Sequence, residues 1–110
     1  MDHLSYEIIF DFGYNEYASN VFYENIKTDQ LFALERITDR KGRYYDEPLY
    51  AEIVDAEHNA SSILVVLDVM IEEDQNPDPE SIKNSLIDVL NFTYQYSIPN
   101  VSIIQIDFEE

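Results

Sequence analysis

The chain has 110 residues, 45% of them hydrophobic, and its 23 Asp and Glu oppose only 6 Lys and Arg, which gives a formal net charge of −17. This length predicts one domain over residues 1–110, since single domains most often have about 100 to 150 residues. The charge makes nucleic acid and anionic membranes poor direct partners and favours a basic protein. Nine Tyr, six Phe and long Ile and Val runs argue against the disorder common in acidic chains.

The chain lacks the residues that several kinds of chemistry require. The chain has no Cys, which excludes disulfides and a thiol nucleophile. Gly13 and Gly42 are its only glycines, so it has no phosphate-binding glycine loop, and no G-x-S-x-G motif is present. The sequence therefore predicts a protein that is not an enzyme and has no cofactor. Its first residues, MDHLSYEIIF, lack the basic region with which a signal peptide begins. We therefore expect the protein to be in the cytosol of a bacterium or of a phage-infected host cell.

The first part of the chain predicts a strand and then a helix. Tyr6, Ile8, Phe10 and Phe12 alternate with Glu7 and Asp11 up to Gly13, which is typical of a half-buried strand. Residues 14–27 favour a helix with Asn15 as its N-cap, although part of this segment would also alternate as a strand. One stripe of that helix would contain Tyr17, Ala18, Val21, Phe22 and Ile26.

Three strands are predicted next. Residues 30–38 form the first, and the turn from Asp39 to Gly42 follows it. Residues 48–55 form the second, with Leu49, Ala51 and Ile53 on one face. Residues 62–72 are almost continuously apolar, which indicates a central strand covered on both faces.

The stretch IEEDQNPDPES at residues 71–81 begins the second helix. Asp78 is placed as its N-cap, Pro79 as its first residue and Glu80 as an acid in its first turn. Apolar side chains then follow at helical spacing, and residues 101–108 predict a last strand. Glu72, Glu73 and Asp74 are not required by any local structural rule.

The order strand, helix, three strands, helix, strand predicts an α+β fold. We expect a two-layer sandwich, a variant of the ferredoxin-like arrangement, with a mixed, mainly antiparallel sheet of about five strands and two helices on one face. The helix between the strands at 62–72 and 101–108 should make these two strands parallel. Their carboxyl ends then lie at one edge of the sheet.

That edge is the predicted partner-binding surface. Seven carboxylates would meet there: Glu72, Glu73, Asp74, Asp78, Asp107, Glu109 and Glu110. The outward-facing segment Tyr44, Tyr45, Asp46 and Glu47 is added to them. The basic turn with Arg40, Lys41 and Arg43 is expected at the same edge, where it either neutralises part of the charge or sets the register of an acidic interface.

Other candidate residues have ordinary structural interpretations beside functional ones. His3 and His58 are expected to be solvated surface residues. Asp68, the one acid in the central strand, is a candidate for a perturbed carboxylate unless it pairs with Arg36 or a Tyr hydroxyl. Tyr6, Tyr17 and Tyr50 are expected on core faces. The acids of residues 72–80 lack EF-hand spacing, and we expect no metal site.

Size and charge favour a small acidic inhibitor that binds the basic groove of a nucleic-acid-processing enzyme, in the manner of the DNA-mimic, anti-defence proteins of phages and mobile elements. One alternative is an immunity protein that neutralises a basic nuclease toxin. A second is an acidic cytosolic accessory domain without an inhibitory role. A small carboxylate- or metal-dependent enzyme ranks last.

Overall fold

In the computed structural model, which describes residues 2–26, 28, 31–94 and 100–106, the elements follow the predicted order, and the α+β class is confirmed. The strands are β1 (Asp2–Asp11), β2 (Leu31–Leu34), β3 (Leu49–Asn59), β4 (Ser62–Ile71) and β5 (Asn100–Ile106). The helices are α1 (Glu16–Asn25) and α2 (Pro79–Tyr94).

The five strands form one open sheet in the order β2-β3-β4-β1-β5. Every neighbouring pair in it is antiparallel, so the described sheet is antiparallel rather than mixed. β4 and β5 nevertheless run in the same direction, because β1 lies between them and is antiparallel to both. The β4-α2-β5 segment is therefore a split β-α-β unit, and its two strands point towards the same edge, as predicted.

The helices lie on one face of the sheet, which we call the inner face. Tyr6, Ile8 and Phe10 of β1 are fully buried there, in one core cluster with the apolar sides of α1 and α2. Every second side chain of β4 points to the opposite face, which we call the outer face, and is half-buried. The side chains between them are buried on the inner face. The prediction that β4 is covered on both faces is wrong, because neighbouring strands, and not a second layer, shelter its outer apolar side chains.

The first helix begins at its predicted N-cap but ends at Asn25, before the predicted end at residue 27, and its buried side also differs from the prediction. The Asn15 side chain accepts a hydrogen bond from the Ala18 amide at 3.0 Å, which confirms Asn15 as the N-cap. The Phe22 ring lies 5.1 Å from Phe10 between centroids and packs into the core. Tyr17 is 71% exposed, and its predicted core position is wrong because the helix turns Ala18 and Phe22 inwards instead.

In β3 the predicted alternation holds. Leu49, Ala51 and Ile53 are buried on the inner face. Tyr50 lies between two of them in sequence and therefore points to the outer face, where it is 52% exposed. The separate expectation that Tyr50 lies on a core face is thus wrong.

The long connection between β2 and β3 folds against the start of α2. Asp78 donates its amide hydrogen to the Thr38 carbonyl at 2.8 Å, and Thr38 donates its own to Ser81 Oγ at 3.2 Å. Ile37 beside them is buried in the core. Gly42 has a φ of +86°, as its predicted place in the turn requires. These contacts hold residues 35–48 beside the acidic segment that follows β4.

Candidate functional site

The segment Glu72-Glu73-Asp74 forms an exposed turn directly after the central strand. Gln75 closes it twice, because its amide donates to the Glu72 carbonyl at 3.1 Å and its side-chain oxygen accepts from the Glu72 amide at 2.7 Å. All three carboxylates remain exposed. The turn is thus held by backbone and amide groups, which leaves its acidic side chains available to a partner.

A cleft of about 510 Å³ brings part of the predicted site together. Tyr45, Asp46 and Glu47 line one side of it, and Glu72 lines the other with Gln75. The Tyr45 hydroxyl accepts a hydrogen bond from the Asn76 amide at 3.1 Å, which ties the two walls to each other. The lining of the cleft also includes Tyr50 and Met70, which lie on the outer face of the sheet. We call this feature the rim cleft.

Asp74 lies on a different side of the turn, beside the three basic residues. A smaller cleft of about 200 Å³ is lined by Asp74 together with Arg40, Lys41 and Arg43. The basic turn therefore lies at the predicted edge, next to one end of the acidic segment. Since partial neutralisation falls on the Asp74 side, the rim cleft is the more strongly acidic of the two.

The basic turn is organised by an acid of its own. Asp39 Oδ1 accepts hydrogen bonds from the amides of Arg43 and Lys41, at 3.0 and 2.8 Å, and Asp39 Oδ2 pairs with Arg43 Nε at 3.3 Å. These contacts, led by the Arg43 amide, lower the pKa of Asp39. Arg40 instead reaches β5, where it donates to Gln105 Oε1 at 3.0 Å.

Asp78 and Tyr44 occupy a third location. Asp78 Oδ1 accepts from the Glu80 amide at 3.3 Å and its carbonyl accepts from the Ile82 amide, which confirms it as the start of α2. Asp78 and Tyr44 line a groove of about 320 Å³ between residues 35–44 and this helix. The same groove contains Glu80, the acid in the first turn of α2, and two acids that the sequence did not single out: Glu35 and Asp88.

The predicted site is therefore divided among three neighbouring clefts. Tyr45, Asp46, Glu47 and Glu72 meet in one, while Asp74 and the pair of Tyr44 and Asp78 line the other two. Glu73 is exposed in the turn between strand and helix. Asp107, Glu109 and Glu110 lie outside the described residues.

The central acid has a partner that the sequence did not predict. Asp68 Oδ2 lies 2.8 Å from His3 Nδ1, on the adjacent strand β1, and this contact takes the place of the expected Arg36 or Tyr hydroxyl. Glu52 lies directly opposite Asp68 on the other neighbouring strand, β3. Because His3, Glu52 and Asp68 are far apart in sequence, only the strand register shows that they are neighbours.

A Ser and a His also meet, on the inner face. Ser19 Oγ of α1 lies 3.0 Å from His58 Nε2 of β3, and Tyr23 stacks on the His58 ring with 5.0 Å between centroids. The half-buried His58 is thus not the solvated residue expected from the sequence. Ser19 is completely buried, so a substrate has no access to its hydroxyl, and the contact satisfies a buried polar group.

Among the described residues, no three His, Asp or Glu side chains converge as a metal ion would require. Neither described helix combines the length and apolar character needed to cross a membrane. No protein-family model, curated protein sequence or solved structure matches this chain.

Proposed function

We propose that this chain is a small acidic inhibitor that occupies the basic groove of a nucleic-acid-processing enzyme and so competes with the nucleic acid. The observation that supports this best is the cluster of exposed carboxylates where β4 ends. Its members are Asp46, Glu47, Glu72, Glu73 and Asp74. They come from two segments that hydrogen bonds hold together, and a rigid acidic surface loses less entropy on binding than a flexible acidic tail.

The overall charge supports the same proposal. A net charge of −17 on 110 residues gives a field that attracts a basic protein over distances of about 10 Å, one Debye length at moderate salt. Carboxylates also suit Arg side chains, because a guanidinium and a carboxylate form paired hydrogen bonds. Enzymes that bind nucleic acid present Lys and Arg in their grooves to contact phosphates. Such a groove is the surface that this cluster complements.

The proposal is tested first by identifying the partner and then by competition. The tagged chain is used to capture proteins from its native cell, or from that cell during phage infection, and a captured basic enzyme is purified. We expect increasing amounts of the chain to displace labelled nucleic acid from that enzyme and to block its activity. A captured nuclease toxin would instead identify an immunity protein, and an enzyme that binds chain and nucleic acid simultaneously would contradict the mimic.

The surface is tested by replacing the acidic turn. The triple change Glu72→Gln, Glu73→Gln and Asp74→Asn should slow association with the captured enzyme about tenfold or more at low salt, since electrostatic steering contributes this much to association rates. The matched control is Glu16→Gln with Glu24→Lys, at two exposed positions of α1 outside the three clefts, which changes the net charge equally. Equal effects of the acidic-turn variant and this control would show that only net charge matters.

A further inference from the structure

The outer face of the sheet is a large surface that no element of the described structure covers. Five strands about 4.8 Å apart and up to about ten residues long give it an area of roughly 650 Å². A standard protein interface buries about 800 Å² on each partner. The outer face therefore has nearly the size of a complete protein-binding surface.

Exposed apolar side chains are concentrated on this face. Nine large hydrophobic side chains are exposed in the described part of the chain. Five of them belong to the outer face: Ile9, Leu31, Tyr50 and Ile104 by their register, and Val54 at the register shift that follows the inward-facing Ile53. Ile104 is 60% exposed at the centre of the edge strand β5. The half-buried Leu64 and Val66 of β4 lie between the outer-face side chains of β1 and those of β3. Apolar side chains exposed together on one face mark interaction surfaces in soluble proteins.

The same face is strongly acidic. Six carboxylates lie among its apolar side chains: Glu7, Asp11, Glu52, Asp55, Glu57 and Asp68. No Lys or Arg occurs in any of the five described strands. Glu52 and Asp68 even lie directly opposite each other, an arrangement of like charges that destabilises a sheet. His3, beside Asp68, is the basic side chain that the described register places there.

We propose that the outer face is the docking surface for a basic protein whose contact region has an apolar centre surrounded by Arg and Lys. Charge complementarity determines this choice of occupant. A second copy of the chain would bring two sets of six carboxylates face to face, which is strongly repulsive. A basic surface without apolar side chains would leave Ile9, Ile104 and Val54 against charged groups.

The outer face is continuous with the rim cleft. Tyr50 and Met70 belong to the outer face and also line that cleft beside Glu72. A partner on the outer face therefore also reaches the carboxylates at the end of β4. This inference rests on the proposed function in so far as the partner is basic, and it adds that apolar contacts on the sheet contribute to affinity.

Two synthetic peptides separate charge from apolar contact. One alternates Arg with Val, and the other has the same length and alternates Arg with Ser. Each is titrated into the full, isotope-labelled chain while amide chemical shifts are recorded. We expect the Arg-Val peptide to bind about tenfold more tightly, because it buries the exposed apolar side chains. The shifts should centre on Glu7, Ile9, Val66 and Ile104.

Three variants complete the test. Ile104→Thr, at an exposed strand position, should leave the melting temperature unchanged and weaken only the Arg-Val peptide. Glu7→Gln with Glu52→Gln and Glu57→Gln should weaken both peptides. The acidic-turn variant Glu72→Gln, Glu73→Gln and Asp74→Asn, which changes the charge equally, should leave the ratio of the two affinities unchanged. Failure of the chain to inhibit a nucleic-acid enzyme would overturn the proposed function without altering these peptide results.

Three outcomes would overturn the inference. The first is equal affinity for the two peptides. The second is a set of shifts confined to residues 44–48 and 72–75, which would limit binding to the rim. The third is a dimer detected by sedimentation, together with chemical shifts of the outer-face amides that change when the chain is diluted. A second copy of the chain would then be the occupant of the outer face.

Discussion

The inner and outer faces of the sheet come from the same strands, yet they have opposite chemistry. In β1 the buried Tyr6, Ile8 and Phe10 alternate with Glu7 and Ile9, which reach solvent on the other side. Burial of the first set drives folding, whereas the second set adds negative charge that opposes it. The fold therefore depends on one face for stability, which leaves the composition of the other face open to binding.

The largest difference between buried and exposed positions should appear within α1. Phe22 is 1% exposed and packs between Phe10 and Phe12, so Phe22→Ala should lower the free energy of unfolding by about 3–5 kcal/mol. Tyr17→Ala on the same helix removes a ring that is 71% exposed and should cost less than about 0.5 kcal/mol. Urea denaturation measures both, and similar costs would contradict the assignment of the faces.

A smaller effect is expected from a buried hydroxyl on the inner face. Tyr6 is completely buried, and its hydroxyl has no hydrogen-bond partner among the described residues. Tyr6→Phe removes this unsatisfied group, and the free energy of unfolding should stay unchanged or rise by up to about 2 kcal/mol. A clear loss of stability at neutral pH would show that the hydroxyl has a partner in solution.

The same residue predicts a dependence on alkaline pH. Burial raises the pKa of Tyr6 to about 12, from an ordinary value of 10.0. The folded state thus favours the neutral phenol, and stability is complete below the ordinary pKa and declines as the pH rises from there towards the folded value. Tyr6→Phe should lose less stability than the unchanged chain between these pH values. Parallel losses would contradict the burial of this group.

The smallest expected change in stability concerns the like charges of the outer face, which should lower the free energy of unfolding. Glu52 lies directly opposite Asp68, so Glu52→Gln should raise the free energy of unfolding by roughly 0.5 kcal/mol. Glu24→Gln, at an exposed position of α1, is the control with the same change in charge. A rise for Glu52→Gln alone would locate the strain at the opposed pair, whereas equal rises would assign it to net charge.

Local patterns predicted much of this fold. The succession Asp78-Pro79-Glu80 satisfies a helix start by itself, and the alternation of Leu49, Ala51 and Ile53 identifies the inner face of β3 without knowledge of its neighbours. The prediction that Tyr17 lies on a core face is wrong because the stripe of apolar residues on α1 is wider than the side of the helix that packs against the sheet. Only contact with Phe10 determines which part of that stripe is buried.

The site was less predictable because it depends on strand register and on a long connection. Grouping Glu72 with Asp46 and Glu47 requires the contacts of residues 35–48 with α2, which span about 40 positions in sequence. The approach of His3 to Asp68 likewise follows from the pairing of β1 with β4. Sequence alone predicted an acidic edge but not the acidic outer face, because the carboxylates of that face are divided among three strands, with two in β1, three in β3 and one in β4.

The most direct test of the proposed electrostatic recognition is the salt dependence of association with the captured enzyme. We expect the association rate to fall by about tenfold or more between roughly 50 and 300 mM NaCl, since screening shortens the reach of the field. The variant Glu72→Gln, Glu73→Gln and Asp74→Asn should associate more slowly at about 50 mM NaCl, and its association rate should fall less as salt is added. A rate that is insensitive to salt, and equal in the variant, would contradict the claim that the carboxylates at the end of β4 guide this protein to its partner.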